Sequence, residues 1–143
     1  MKEDKCYITT VKDFPKVSGL QRIDYIKEVK AYGFGDGARV LSDLDRESRI
    51  CFYVPSKKSV VLHAIVVSDK KAGFPPKDWG INDYDGLVYY DVEIELDNII
   101  DVNPPVKLPE VREKLGLSKK WGNYVISTHE VDPVDFNILI GGE

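Results

Sequence analysis

The stretch VYYDVEIELD, residues 88–97, decides the fold class of this chain, because its apolar and polar side chains alternate without a break. Successive side chains of a β-strand point to opposite faces of the sheet, so a period of two predicts a half-buried strand. The apolar set, which we expect to face a core, is Val88, Tyr90, Val92, Ile94 and Leu96. The opposite, mostly acidic set then faces water.

Further strands are predicted on both sides of this stretch. Residues 6–10, 49–54 and 59–67 are rich in β-branched and aromatic side chains, which favour strands. Only the turn residues 55–58 separate the last two segments, so they predict a hairpin. A shorter strand is expected at 124–127.

Helices are predicted between and after these strands. From Ser18 to about Lys30 the spacing favours a helix, with a shorter one at 38–44. Another begins at Pro109 and can end at Gly116, and the last begins at Asp132–Pro133, an N-cap followed by a preferred proline. The apolar residues of the first and last helices are Leu20, Ile23, Ile26, Val29, Phe136, Leu139 and Ile140.

Three segments are expected to lie outside regular structure. Residues 32–37 form a glycine-rich loop, and 69–85 a loop longer than most connections. The sequence NPPV at 103–106 blocks helix and strand alike. About five strands and three or four short helices in mixed order predict an α+β fold, a strongly bent sheet or barrel flanked by helices. The length of 143 residues predicts one domain, 1–143.

The charge of the chain limits how it can meet a polyanion. With 20 basic and 24 acidic residues the formal net charge is −4, which argues against a protein that coats nucleic acid by electrostatics alone. Eight of the acids and none of the bases lie between residues 78 and 101, so the remainder has 16 acids against 20 bases. A local, one-sided contact with nucleic acid therefore stays possible.

The sequence gives little support for a metalloprotein, a secreted protein or a membrane protein. Two cysteines and two histidines show no zinc-ligand spacing, so we expect no metal and no cofactor. The N-terminal stretch lacks the apolar region of a signal peptide, and no apolar run approaches the ~20 residues of a membrane span. We therefore expect a cytoplasmic protein.

Catalytic side chains are weakly indicated. Cys6 and Cys51 lie inside predicted strands, where a free cysteine is a small buried hydrophobe. His63 lies mid-strand, which favours a structural role, and His129 is expected in a surface turn. The acids of 78–101 fit a solvated strand face better than a paired-carboxylate site. A small hydrolase or nuclease that uses the acidic loop 78–85 remains an alternative.

The loop aromatics are more suggestive of function. Tyr32 and Phe34 flank Gly33, Trp79 lies in a polar loop, and Trp121 follows two lysines. Aromatic side chains beside glycine and basic residues can stack a nucleobase while the cations hold phosphate. Taken singly, packing in a core is the more frequent role of each.

In their order along the chain, these segments resemble an EVE domain, a member of the PUA-like superfamily related to YTH domains. The resemblance covers nearly the whole chain and is most specific in its last forty or so residues. The matching segments are CYITTV (6–11), KAYGFGDGARVL (30–41), ESRICFYVP (47–55), VVLHAIVVSDKKAGFPP (60–76), VYYDVEIE (88–95), PPVKLPEVREKLG (104–116) and SKKWGNYVISTHEVDPVDFNIL (118–139).

This resemblance implies a non-enzymatic module that binds DNA or RNA and holds a flipped, modified base in an aromatic pocket. Extruding the base costs a few kcal/mol, which stacking and edge hydrogen bonds offset. A separate effector protein is a further candidate partner, and a general PUA-like RNA-binding module is the alternative. The residues implied for the pocket are Thr9, Thr10, Tyr32, Gly33, Phe34, Tyr53, Trp121 and Asn123, and those for phosphate are Arg39, Lys119 and Lys120.

Overall fold

The computed structural model describes residues 5–11, 13, 18–34, 47–68, 71–78, 87–111 and 129–141. The helices predicted at 38–44 and beyond Val111, and the strand at 124–127, lie outside these ranges. The strands are β1 (Cys6–Thr10), β2 (Ala31–Phe34), β3 (Arg49–Val54), β4 (Ser59–Val66), β5 (Lys71–Asp78), β6 (Leu87–Lys107) and β7 (His129–Val131). The α-helices are α1 (Gly19–Val29), α2 (Leu108–Val111) and α3 (Pro133–Leu139).

All seven strands belong to one mixed sheet. Its order is β2-β6-β4-β3-β1-β7, with β5 also paired to β6. The β1–β3 pair is parallel and the other pairs are antiparallel. The predicted hairpin of β3 and β4 is confirmed, and a short 3₁₀ turn over Pro55–Lys57 joins its strands. The predicted α+β fold of a bent sheet flanked by short helices is confirmed.

The alternating stretch 88–97 lies in β6, the longest of the described strands. Within it Ile94 and Leu96 are buried, whereas Glu95 and Asp97 are exposed, as a period of two requires. The strand continues for 21 residues because its first half pairs with β2 and β5 and its second half with β4. It is the element around which the sheet is organised.

Two proline pairs lie inside strands, which corrects two sequence predictions. Residues 103–106 belong to β6, and Pro75–Pro76 to β5 within the expected loop 69–85. In both strands the prolines fall where the register shifts, between the pairs Leu62–Asp101 and Val60–Val106, and between Phe74 and Lys77. Irregular positions need no ladder hydrogen bond, so proline, which lacks an N–H, is tolerated there.

The sheet curls so strongly that β2, one of its end strands, approaches β1, the strand next to the other end. Four strand spacings of about 4.8 Å would separate β2 from β1 in a flat sheet, roughly 19 Å. Yet the hydroxyl of Tyr32 in β2 donates to the carbonyl oxygen of Thr10 in β1 at 3.4 Å. Residues 31–34 form a strand because they pair with β6, with Gly33 opposite Glu93. The glycine loop expected at 32–37 therefore does not begin at Tyr32.

Helix α1 begins and ends where the sequence predicts. The Ser18 hydroxyl accepts from the Gln21 amide and the Gln21 side chain accepts from the Ser18 amide, which is a capping box. Ile23 and Ile26 are buried, but Leu20 and Val29 are each 39% exposed. Three residues turn a helix by about 300°, so a three-residue repeat drifts around it and its end members leave the buried face.

Two hydrophobic clusters lie on opposite faces of the sheet. One joins α1 to Tyr7, Phe52 and other side chains of β1, β2, β3, β4 and β6, Tyr32 among them. The other places α2 and α3 against Cys6, Cys51 and their neighbours, and Phe136 and Leu139 of α3 are fully buried in it, as predicted. None of the described helices is long and apolar enough to cross a membrane.

Candidate functional site

Six of the eleven residues expected to bind nucleic acid lie in the described structure, and all six lie on strands. They are Thr9, Thr10, Tyr32, Gly33, Phe34 and Tyr53. The other five lie outside the described residues, namely Arg39, Lys119, Lys120, Trp121 and Asn123. The described part of the candidate site is therefore formed by strands.

Tyr32 holds together the two strand ends at the centre of this region. Its side chain is only 7% exposed, and its ring meets the ring of Phe52 edge to face at 5.2 Å between centroids. Its hydroxyl reaches the main chain of Thr10. Phe52 is not among the residues predicted for the site, although the alternation within RICFYV places it on the same face as Ile50. The buried ring of Tyr32 supports the site from inside the core.

The remaining described residues divide between the two faces of the sheet. Thr9 is 2% exposed and lies two residues from both Tyr7 and Val11. It therefore shares their face of the sheet, the face covered by the α1 cluster to which Tyr32 also belongs. Thr10 and Tyr53 are neighbours in the parallel β1–β3 register and are both half-buried on the α3 face. The structure therefore places Tyr53 beside Thr10, and does not bring it alongside Tyr32.

Gly33 and Phe34 follow Tyr32 along β2, whose backbone pairs with β6. In the described sheet, β2 is the end strand of the path. The antiparallel β1–β7 pair sets His129 opposite Ile8, two residues before Thr10. Segment 35–46 follows β2 and segment 112–128 precedes β7, and the five remaining candidate residues belong to these two segments.

The described cysteines are poor candidates for catalysis. Cys51 lies directly opposite His63 in the β3–β4 register, a pairing that could suggest a nucleophile and its base. However, Cys6 and Cys51 are both fully buried free thiols, as predicted. Burial, reinforced by the neighbouring Cys6, raises the pKa of the Cys51 thiol far above its ordinary value. Because the thiolate is the nucleophile, a thiol held neutral in this way is unreactive.

The two histidines lie in strands. His129 belongs to β7 and pairs with Ile8, so the surface turn expected from sequence is wrong. A three-residue strand beside β1 carries too little pattern to be recognised. His63 packs edge-on against Phe136, with 6.4 Å between ring centroids, and the Arg49 guanidinium lies 4.6 Å from the same ring. His63 therefore takes part in the packing of α3 against the sheet, and the hydrogen-bonded structural role expected from the sequence stays a prediction.

This environment gives His63 a testable pH dependence. Burial, and then the charge of Arg49, lower the pKa of His63 from its ordinary 6.5. The unfolded chain then binds a proton more readily than the folded one, so stability is fully present above about pH 6.5 and decreases as the pH falls below it. His63→Phe, which keeps a ring against Phe136, should reduce this decrease. Urea unfolding of both proteins between pH 7.5 and 5 measures it; identical pH profiles would contradict the account.

The exposed acids of β6 behave as a solvated strand face. Asp101 forms an ion pair with Lys27 at 3.0 Å, and Glu95 and Asp97 are exposed. Exposed pairs of this kind contribute at most about 1 kcal/mol. Within the described residues, no group of three or more His, Cys, Asp or Glu side chains could hold a metal ion.

The fold is similar to solved structures of low sequence identity. The YTH domain of the Zygosaccharomyces rouxii MRB1 protein, in complex with N6-methyladenosine RNA, is 10% identical, with a TM-score of 0.67 over 98% of this chain and 86% of that one. Rpa0253 from Rhodopseudomonas palustris is 15% identical, with a TM-score of 0.59, and Atu2648 from Agrobacterium tumefaciens is 14% identical, with a TM-score of 0.60. Both alignments cover 95% of this chain and 90% of the other.

No protein-family profile matches the sequence, and no curated protein is similar to it. Identities of 10–15% establish the fold alone. The curled sheet and short helices described above are those of a YTH-like, PUA-like α+β fold.

Proposed function

We propose that this chain is a non-enzymatic nucleic-acid-binding module of the EVE type, folded as a single domain, that reads a modified nucleobase. The observation that carries the proposal is the similarity of its fold, over 98% of its length, to a YTH domain solved with N6-methyladenosine RNA. The aromatic–glycine segment 32–34 and the KKWG segment 119–122 support it independently. RNA is the first partner to test, and DNA the second.

The proposed pocket forms where β1 and β2 meet. Phe34 and Trp121 supply aromatic faces on which a base can stack, and Asn123 and a threonine hydroxyl supply hydrogen bonds to its edge. Tyr32 supports this arrangement by holding β2 against Thr10. Stacking on an aromatic side chain contributes about 1–3 kcal/mol per base, enough to offset the few kcal/mol that extrusion of a base costs.

The pocket assignment is tested most sharply at Trp121. Trp121→Ala should weaken binding of the best modified oligonucleotide by roughly 10- to 100-fold, because one stacking face is lost. Fluorescence anisotropy with a labelled nine-nucleotide strand measures this, and thermal unfolding verifies that the variant is folded.

Trp121→Phe is the matched control, since it keeps an aromatic face at the same position. It should retain most of the affinity. Equal binding by Trp121→Phe and Trp121→Ala would mean that the aromatic ring at this position does not stack on the base. A folded Trp121→Ala protein with undiminished affinity would overturn the assignment of Trp121 to the pocket.

A further inference from the structure

Three lysines from two separate parts of the chain lie at one corner of the sheet. Lys57 and Lys58 lie in the β3–β4 turn, and Lys107 is the last residue of β6. The antiparallel register pairs Ser59 with Lys107, and the Leu108 amide donates to the Lys58 carbonyl oxygen at 2.9 Å. The side chains of Lys57, Lys58 and Lys107, hereafter the lysine corner, are all exposed.

The lysine corner carries a surplus of positive charge. Among the described residues no carboxylate forms an ion pair with it, in contrast to Lys27, which is paired with Asp101. Glu110, in the adjacent helix α2, is the nearest acid along the described chain. Asp13, whose carboxylate accepts from the Gly19 amide, lies near Val54 at the start of the turn. Both acids against three lysines still leave an excess of one positive charge.

Among the exposed acids of β6, Asp101 pairs with Leu62, three residues of β4 from Ser59, but its charge is already matched by Lys27. Asp97 lies farther from the lysine corner. Asp97 pairs with Ile65 and Lys107 with Ser59, so six residues of β4 separate the two groups. At about 3.3 Å per residue this distance is roughly 20 Å. The Debye length at physiological ionic strength is about 8 Å, so the two groups interact weakly.

The lysine corner lies beside Thr10, on the β1 side of the proposed pocket. β1 and β3 are parallel, and Thr10 pairs with Tyr53 immediately before the turn that carries Lys57 and Lys58. The Val11 amide also donates to the Tyr53 carbonyl oxygen at 2.8 Å. A strand whose base enters beside Thr10 can therefore continue past the turn.

We propose that the lysine corner binds the phosphodiester backbone of the nucleic acid strand that flanks the recognised base. This inference rests on the proposed function and adds a second contact to it. Lysine ammonium groups bind phosphates as point charges without reading sequence. The corner thus positions the strand, and the pocket discriminates the base.

The test replaces all three lysines by glutamine, which keeps a polar side chain only one atom shorter and removes the charge. For single strands each phosphate contact contributes about 0.7 to the slope of log affinity against log salt. The variant K57Q/K58Q/K107Q should therefore lower the slope by about 2 and the affinity at 0.1 M salt by up to about 100-fold. Modified and unmodified nine-nucleotide strands should be affected equally, because phosphates are common to both.

Lys30→Gln is the matched control for Lys58→Gln. Both lysines are exposed and both have a left-handed backbone, with φ of 56° and 51°. Lys30, however, lies at the opposite end of β4, since its carbonyl accepts from the amide of Leu96, the partner of Val66. Lys58→Gln should lower the salt slope by about 0.7, and Lys30→Gln should leave it unchanged.

The outcomes separate the two proposals. If the wild type prefers the modified strand while the triple variant keeps its salt slope, the lysine corner is wrong and the proposed function stands. If the slope falls but the wild type binds both strands equally, the corner stands and base reading is wrong. If the wild type binds neither strand, both proposals are overturned.

Discussion

Phe136→Ala is expected to lower the free energy of unfolding by about 3–5 kcal/mol. Phe136 is fully buried in the cluster that attaches α3 to the sheet. Its ring also lies under the Arg49 guanidinium and meets His63 edge-on, so its loss leaves a cavity and removes both contacts. Domains of this size have about 5–15 kcal/mol of stability, so the variant should approach the limit of folding at 37 °C.

Chemical denaturation followed by tryptophan fluorescence measures this loss. Val134→Ala is the control on the same helix, because Val134 is 73% exposed and should cost less than about 0.5 kcal/mol. If Phe136→Ala cost no more than Val134→Ala, α3 would not be part of the core that stabilises the sheet.

Tyr32→Ala is the second substitution with a large expected effect, about 3 kcal/mol or more. The residue is nearly buried, its ring packs against Phe52, and its hydroxyl connects β2 to β1. Its removal should loosen the end of the curled sheet as well as weaken the core. Amide hydrogen exchange should show faster opening of β2 than of β3 and β4.

Tyr32→Phe separates the two contributions of this side chain. It keeps the ring and removes a hydrogen bond that is long, at 3.4 Å, so it should cost at most about 1 kcal/mol. A loss from Tyr32→Phe as large as that from Tyr32→Ala would mean that the hydroxyl, rather than the ring, holds the two strands together.

Where a sequence signal is local, the prediction and the structure agree. The Ser18–Gln21 capping box marks the start of α1, and Asp132 takes the N-cap position before Pro133 at the start of α3, without a side-chain cap hydrogen bond. The alternation in residues 88–97 predicts the burial of Ile94 and Leu96 and the exposure of Glu95 and Asp97. These signals need no knowledge of the rest of the chain.

Where strand formation depends on a distant partner, the sequence misleads. Ala31–Phe34 contains Gly33 and reads as a loop, yet β6 supplies the ladder that makes it a strand. Two proline pairs likewise read as breaks, and only the register shows that both lie at irregular positions. Short segments whose hydrogen bonds come from elsewhere cannot be recognised by their own pattern.

The contacts among the candidate site residues were predictable only in part, for the same reason. Tyr32 and Thr10 were identified separately, and the curl that joins them is a property of the whole sheet. Adjacent lysines in a turn are visible in the sequence, but their meeting with Lys107, some fifty residues later, is fixed by the β4–β6 register. Tyr53 was expected with Tyr32, whereas strand alternation places it on the other face.

The central claim is that this module discriminates a modified base from its unmodified counterpart. The direct measurement is the affinity of the full chain for two nine-nucleotide RNA strands that differ only by one N6-methyladenosine, with other modified bases and DNA strands in parallel, at two salt concentrations. Phosphate attraction weakens with salt, whereas pocket recognition persists. We predict that at least one modified strand is preferred by tenfold or more at both concentrations. Equal affinities for every pair, at either salt concentration, would contradict base recognition and favour a general RNA-binding module.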